Sequence, residues 1–293
     1  MTRKLTKTHL DAYKDEKKLK KLFEAIAEDP ELSFEIRVNN EVMVYYHKDK
    51  ILTITLDRKG EPKITILSPK YYKDSGRKPT ICFDNPHNLI SMDEMRTYFK
   101  EAKKLVYVYK MGAEFNVQQN IALGNHSYDG RYIVVDMEWM FSQADIPEAE
   151  RISKTRIDLV IVDTVPNAKG YNDIYLAELK LGLGATEGNS GTIDHVDKTN
   201  EIINCKSACE SLRADVEAII EQKTELGIIE GTKKDFVFGA KPKMMLILAY
   251  RGERERIKLE AEYTKAKKRA KEIGMEEPVC IMHNALIKLS VEK

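Results

Sequence analysis

The spacing of apolar residues changes within the first third of the chain. Leu19, Leu22, Phe23 and Ile26 are spaced three or four apart, which predicts a helix across residues 8–28. Apolar and polar residues then alternate through 32–68, with turn signals at Asn39-Asn40 and Lys59-Gly60. This pattern predicts an antiparallel β-meander of about four strands. Residues 69–90 are rich in Pro, Gly, Asp and Asn, which is typical of a linker.

A different order of elements follows the linker. Ser91 and Glu94 have capping-box spacing and predict a helix start, and a further helix is expected at 110–124. Strands are predicted at 132–141, 156–164 and 174–181, then a long helix at 193–223 and a strand at 244–250. This order is typical of an α/β domain. We therefore predict two domains, 1–90 with the helix, meander and linker, and 91–293.

Charged residues interrupt the three predicted strands. Side chains alternate between the faces of a strand, so Glu178 and Lys180 share one face of 174–181. Asp158 lies inside the apolar run of 156–164, and Glu138 lies on the first strand. Buried charges are costly unless they are paired or hold a metal. Carboxylate oxygens are the ligands that Mg²⁺ and Mn²⁺ prefer, so this pattern indicates a metal site.

Asp158, followed after nineteen residues by Glu178-Leu179-Lys180, resembles the D…ExK signature of the PD-(D/E)XK nuclease superfamily. The order of elements across residues 110–250 also resembles the core of that family, whereas the N-terminal meander has no counterpart in it. Ile157 stands where the family often has Pro. The resemblance implies a restriction-endonuclease-like core, a mixed central sheet flanked by helices. The alternation pattern predicts the N-terminal meander as a separate lobe.

The resemblance also implies roles for individual residues. Asp158 and Glu178 would be catalytic residues that bind Mg²⁺, with Mn²⁺ as a substitute, and the carbonyl of Leu179 would add a ligand. Lys180 would position the attacking water. The family often adds a Glu from the first helix, and Glu114 is the candidate here.

Further candidates depend on position alone. Glu138 is an auxiliary metal ligand by strand parity, with a structural carboxylate as the equal alternative. Gln118 lies four residues after Glu114 on one helix face and could bind substrate. His195 and Lys198 open the helix after the third strand and could contact a phosphate, although a solvated first turn is the competing interpretation.

The composition and charge of the chain exclude some classes of function. The 293 residues contain 48 Lys and Arg against 47 Asp and Glu, so bulk charge alone does not hold the chain on nucleic acid. Segments 1–21 and 251–271 are locally basic, which permits a positive rim around an acidic site. The longest apolar run is far shorter than a membrane span, and the four cysteines form no CxxC pair. We therefore expect a cytoplasmic protein without a membrane partner.

The function that this pattern favours is metal-dependent hydrolysis of phosphodiester bonds in nucleic acid, with DNA favoured over RNA. The alternative is a non-catalytic nucleic-acid-binding or assembly module on the same fold, with a vestigial site. An unrelated α+β protein with a chance motif is the third interpretation. The meander could recognise nucleic acid, bind a partner or form a homodimer contact, and the sequence does not choose between these roles.

Overall fold

The computed structural model describes residues 2–47, 49–73, 91–109, 113–141, 147, 150, 152–153, 155–182 and 191–285. The chain forms two compact units. The first comprises Met1–Asp136 with Ala214–Lys234, and the second comprises Met137–Arg213 with Asp235–Lys293. The domain boundary predicted after residue 90 stays a prediction, and the predicted linker lies outside the described residues from position 74 onward.

Two short helices replace the single helix predicted at 8–28. They are α1, Lys7–Ala12, and α2, Lys20–Ala27. The chain turns between them because the Asp15 carboxylate accepts a hydrogen bond from the Lys17 N–H at 2.9 Å. The turn also leaves buried Tyr13 in edge contact with Phe23 and Phe34.

The predicted meander is confirmed as a separate four-stranded antiparallel sheet in the order β1-β2-β3-β4. Its strands are β1 Ser33–Arg37, β2 Glu41–Tyr46, β3 Asp49–Leu56 and β4 Pro62–Ile66. Asn39 and Asn40 both have a φ of 62°, and Gly60 has a φ of 78°. These left-handed conformations favour Asn and Gly, which explains why the turns were visible in the sequence.

Helices follow at α3, Met92–Tyr109, and α4, Ala113–Gly124. The predicted capping box is confirmed, since the Ser91 N–H donates to the Glu94 carboxylate at 2.8 Å and the Glu94 N–H donates to Ser91 Oγ at 3.3 Å. Reciprocal bonds of this kind satisfy N–H groups that a helix start otherwise leaves without partners.

A mixed sheet contains the strands predicted to carry charged residues. In the order β5-β6-β7-β8-β9, β6 and β7 are antiparallel, while β7–β8 and β8–β9 are parallel. The strands are β5 Tyr132–Met140, β6 Arg156–Asp163, β7 Ile174–Leu181, β8 Lys243–Tyr250 and β9 Val279–Asn284. The remaining helices are α5 Thr192–Asn204, α6 Lys206–Glu225 and α7 Glu253–Glu272. The described residues therefore form an α/β protein with seven α-helices and two sheets.

Helices α5 and α7 pack on one face of β8. Their buried residues Val196 and Leu259 join Met244, Leu246 and Leu248 of the strand in one apolar cluster. In the parallel β7–β8 register, Leu246 lies beside Glu178 and Leu248 lies beside Lys180. Residues side by side in a sheet share a face, so the charged pair of β7 lies on the face that these helices cover.

The described helices include none that combines the length and the apolar character needed to cross a bilayer.

A buried ionic cluster, formed by Arg3, Glu35, Arg37, Asp136, Asp215 and Lys223, lies in the first unit. Asp136 pairs with Arg3 at 2.6 Å and also with Arg37, while the Arg3 backbone N–H donates to Asp215 at 2.6 Å. Lys223 pairs with Glu35 at 2.8 Å. Each buried charge therefore has an opposite partner, as the cost of burial requires.

The cluster predicts a pH-dependent stability. Burial raises the pKa of Glu35 from 4.5 to about 7, against the opposing effect of Lys223. The folded protein thus retains a proton that the unfolded chain has released, so stability falls as pH rises from about 4.5 to about 7. The Glu35→Gln protein lacks this titration. Between about pH 5.5 and pH 8, we expect the free energy of unfolding of the wild type to drop by about 2 kcal/mol more than that of Glu35→Gln. Urea denaturation of both proteins measures this difference, and parallel pH profiles would contradict it.

Candidate active site

Asp158 and Glu178 are brought together by the register of two antiparallel strands. Leu159 of β6 pairs with Ala177 of β7, and Val160 pairs with Leu176. Continuing this register by one residue places Asp158 opposite Glu178. Opposite residues in an antiparallel pair point to the same face with Cβ atoms about 5 Å apart. The two carboxylates therefore lie side by side on one face of one sheet.

Lys180 lies beside Glu178 on that face. Its Nζ is 2.8 Å from Glu178 Oε1, and the two side chains are 5% and 8% exposed. Asp158 is also buried. The expectation that Glu178 and Lys180 would share a face is confirmed, and the site holds two acids and one base away from bulk water.

Helix α5 adds an imidazole to this group. His195 Nε2 lies 3.0 Å from Glu178 Oε1, one residue before Val196 in the apolar cluster. Burial, together with the positive charge of Lys180, lowers the pKa of His195 to about 4 against the opposite effect of Asp158. The imidazole is therefore neutral at neutral pH, and its Nε2 is placed to help fix the Glu178 carboxylate.

Asp158 has a second role in the sheet. Its Oδ2 accepts a hydrogen bond from the Leu179 N–H at 3.0 Å. This bond lies just beyond the last residue pair of the β6–β7 ladder, so a side chain takes the place of a backbone acceptor. It ties the Asp158 carboxylate to the backbone between Glu178 and Lys180.

This bond allows a structural role of Asp158 to be tested separately from the charge of its carboxylate. Asp158→Asn retains an oxygen acceptor for Leu179, so we expect its thermal unfolding to stay close to wild type. Asp158→Ala removes the acceptor from a buried N–H and should cost about 1–3 kcal/mol. Both variants lose the carboxylate charge. Thermal unfolding of the two proteins tests the assignment, which fails if Asn destabilises the fold as much as Ala.

The site supplies donors of the kind that Mg²⁺ prefers. Asp158 and Glu178 offer carboxylate oxygens, and the Leu179 carbonyl is the further ligand that the resemblance implies. In the part of the chain that the structure describes, no group of three or more His, Cys, Asp or Glu side chains is arranged to hold a metal. Mg²⁺ in enzymes is commonly bound by one or two carboxylates, with waters and substrate phosphates completing its shell. The donors therefore fit such an ion in kind.

Strand parity predicts Glu138 as an auxiliary metal ligand, and in the structure this residue lies beside Arg156. Its Oε2 is 2.7 Å from Arg156 Nε. Its φ of 57° departs from extended backbone, so the alternation of side chains used to place it does not continue through this residue. The assignment of Glu138 as an auxiliary ligand stays a prediction.

The remaining candidate residues lie on two helices, Lys198 on α5 and Glu114 with Gln118 on α4. Lys198 on α5 pairs with Asp194 at 2.6 Å, one turn of the helix away. The sequence interpretation overlooked Asp194, although its position four residues before Lys198 is a recognisable signal. Glu114 and Gln118 lie on α4 in the first unit, Glu114 half-buried and Gln118 buried. Their predicted roles as metal ligand and substrate contact stay predictions.

Comparisons with family models, curated proteins and solved structures return no match for this chain. The function is therefore inferred from the residues and geometry of the site.

Proposed function

We propose that this protein is a metal-dependent nuclease that hydrolyses phosphodiester bonds of nucleic acid, with DNA as the favoured substrate. The mixed sheet with its helices would be a restriction-endonuclease-like core, and the D…ExK residues would be its catalytic site. One observation carries the proposal: Asp158 and Glu178 lie on one face of adjacent antiparallel strands, with the Lys180 ammonium 2.8 Å from Glu178.

The burial of these charges supports a chemical role. Removing a charged group from water costs several kcal/mol, and an apolar set of similar volume would stabilise a sheet at least as well. Two carboxylates side by side also repel each other, and a neutral amide at position 158 would accept the Leu179 bond without that repulsion. A divalent cation relieves that repulsion, which gives the arrangement a purpose.

Each residue has a distinct task in this proposal. Asp158, Glu178 and the Leu179 carbonyl would hold the ion, which when bound neutralises phosphodiester charge and lowers the pKa of a water. Lys180 would orient the attacking water and stabilise negative charge on the phosphate. Neutral His195 would keep Glu178 in place. Lys198 is the proposed contact to a substrate phosphate.

A cleavage assay tests the proposal. The wild-type protein is incubated with supercoiled plasmid, linear duplex, single-stranded DNA and RNA in Mg²⁺, and again with EDTA. We expect metal-dependent cleavage of at least one DNA substrate and none with EDTA. Absence of cleavage of all four substrates in both Mg²⁺ and Mn²⁺ would reject a nuclease.

The second candidate is a nucleic-acid-binding or assembly module with a vestigial site. It is favoured by the finding that, among the described residues, no group of three or more His, Cys, Asp or Glu side chains is arranged to hold a metal. Such a module would bind DNA in a gel-shift experiment without cutting it, whereas the nuclease would do both.

A further inference from the structure

The first unit contains a cavity of about 360 Å³. Residues from α2, β1, α4 and the segment after α6 line it, with apolar walls that include Phe23, Ile26, Leu32, Leu226 and Ile228. Exposed Ala27 and Glu230 border the cavity, so it is open to solvent. Its volume lies within the range of about 300–1,000 Å³ that is usual for small-molecule sites.

Polar groups meet in one part of this apolar cavity. Ser33 and Glu35 lie two residues apart on one face of β1, and both line the cavity with Lys223. The Lys223 ammonium donates to Glu35 Oε2 at 2.8 Å and to the Val135 carbonyl at 2.9 Å. Ser33 is 5% exposed, and its Oγ has no hydrogen-bond partner among the described residues.

Hydrogen-bond counting indicates which ligand group this arrangement would accept. An ammonium has three N–H donors, of which Glu35 and Val135 account for two. The third donor calls for an acceptor, and the Ser33 hydroxyl can donate to the same acceptor. A buried hydroxyl without a partner has lost its bonds to water, and a ligand acceptor would replace one of them.

We infer that this cavity binds a small carboxylate with an apolar body, its head group accepting hydrogen bonds from Ser33 Oγ and Lys223 Nζ. A cationic amine is disfavoured because the Lys223 ammonium would repel it. The apolar walls would bury the hydrocarbon part at about 25 cal/mol per Å². This inference concerns the first unit alone and does not depend on nuclease activity.

Ligand binding should be coupled to the protonation of Glu35. Three charged groups face this carboxyl, Lys223 on α6, Asp136 on β5 and Arg37 on its own strand, and burial raises its pKa to about 7. Arg3 and Asp215 complete the cluster around Asp136. A second carboxylate beside Lys223 would repel ionised Glu35, so binding should be favoured when Glu35 is protonated. The apparent affinity should therefore decrease as pH rises through about 7.

Calorimetry with hexanoate tests the inference, with hexanamide as the uncharged match. We expect hexanoate to bind about tenfold more weakly at about pH 8 than at about pH 6, and hexanamide to show no such change. No heat with hexanoate, octanoate or phenylacetate up to about 10 mM would reject the site, as would equal binding of hexanamide and hexanoate at pH 6.

Variants locate the bound ligand. Ala122 is buried and lines the cavity, so Ala122→Leu should fill the space and abolish binding. Ser33→Ala should weaken hexanoate several-fold, while Ser68→Ala on the exposed surface serves as the matched control. The double variant Glu35→Gln with Lys223→Met retains the side-chain volumes without an unpaired charge and should lose the preference for a carboxylate. Unfolding curves establish that each protein is folded, and wild-type affinity in folded Ala122→Leu would overturn the inference.

Discussion

The Glu178→Ala protein should lose metal-dependent cleavage by a factor on the order of 10³. The substitution removes one of the two carboxylates proposed to hold the ion, and it also removes the group that Lys180 and His195 both contact. Initial rates of plasmid cleavage at fixed Mg²⁺ concentration measure the effect. Because an ion ligand is lost, raising the Mg²⁺ concentration should restore part of the activity.

Glu277→Ala is the matched control. This exposed residue also lies in the second unit and forms a surface ion pair with Lys267 at 2.7 Å. Surface pairs contribute little to stability, so its cleavage rate should equal that of wild type. A folded Glu178→Ala protein that cuts as fast as this control would remove Glu178 from the mechanism.

Lys180→Met should separate metal binding from cleavage. Methionine preserves the length of the buried side chain but removes its charge, so the carboxylates lose an attractive partner and Mn²⁺ binding should persist or tighten. Cleavage should fall by a factor on the order of 10² or more, because the group that orients water is gone. Lys180→Arg should not restore the rate, since a planar guanidinium cannot replace a compact ammonium in a buried site.

Lys198→Met provides the contrast on α5. Lys198 is half-buried and pairs with Asp194, so its loss should weaken substrate binding in a salt-dependent manner and leave the maximal rate nearly unchanged. If Lys180→Met binds Mn²⁺ and cuts at the wild-type rate, Lys180 has no role in the reaction.

Local signals allowed much of the fold to be predicted. The meander follows from alternation and from Asn and Gly turns that adopt left-handed backbone, and α3 follows from the Ser91–Glu94 capping box. Strand parity also placed Glu178 and Lys180 on one face. These features depend on neighbours a few residues apart, which is the range that a sequence pattern describes directly.

The remaining features depend on tertiary contacts. Strand β9 was not predicted, because its residues are only partly buried and pair with β8 far away in sequence. The helix predicted at 193–223 is divided at Cys205, whose ψ of 108° is extended. The proximity of His195 to Glu178 depends on how α5 packs on the sheet, and the Glu35–Lys223 pair joins residues 188 positions apart. No local pattern encodes such contacts.

Mn²⁺ titration calorimetry tests the central claim, that Asp158 and Glu178 together form a divalent-metal site. The wild-type protein is compared with the Asp158→Asn, Glu178→Gln double variant, which keeps the shape of both side chains and removes both charges. We expect the wild type to bind Mn²⁺ with a dissociation constant at or below about 1 mM, and the double variant to show no saturable heat. Equal Mn²⁺ binding by the two folded proteins, or none by the wild type up to about 10 mM, would contradict the account.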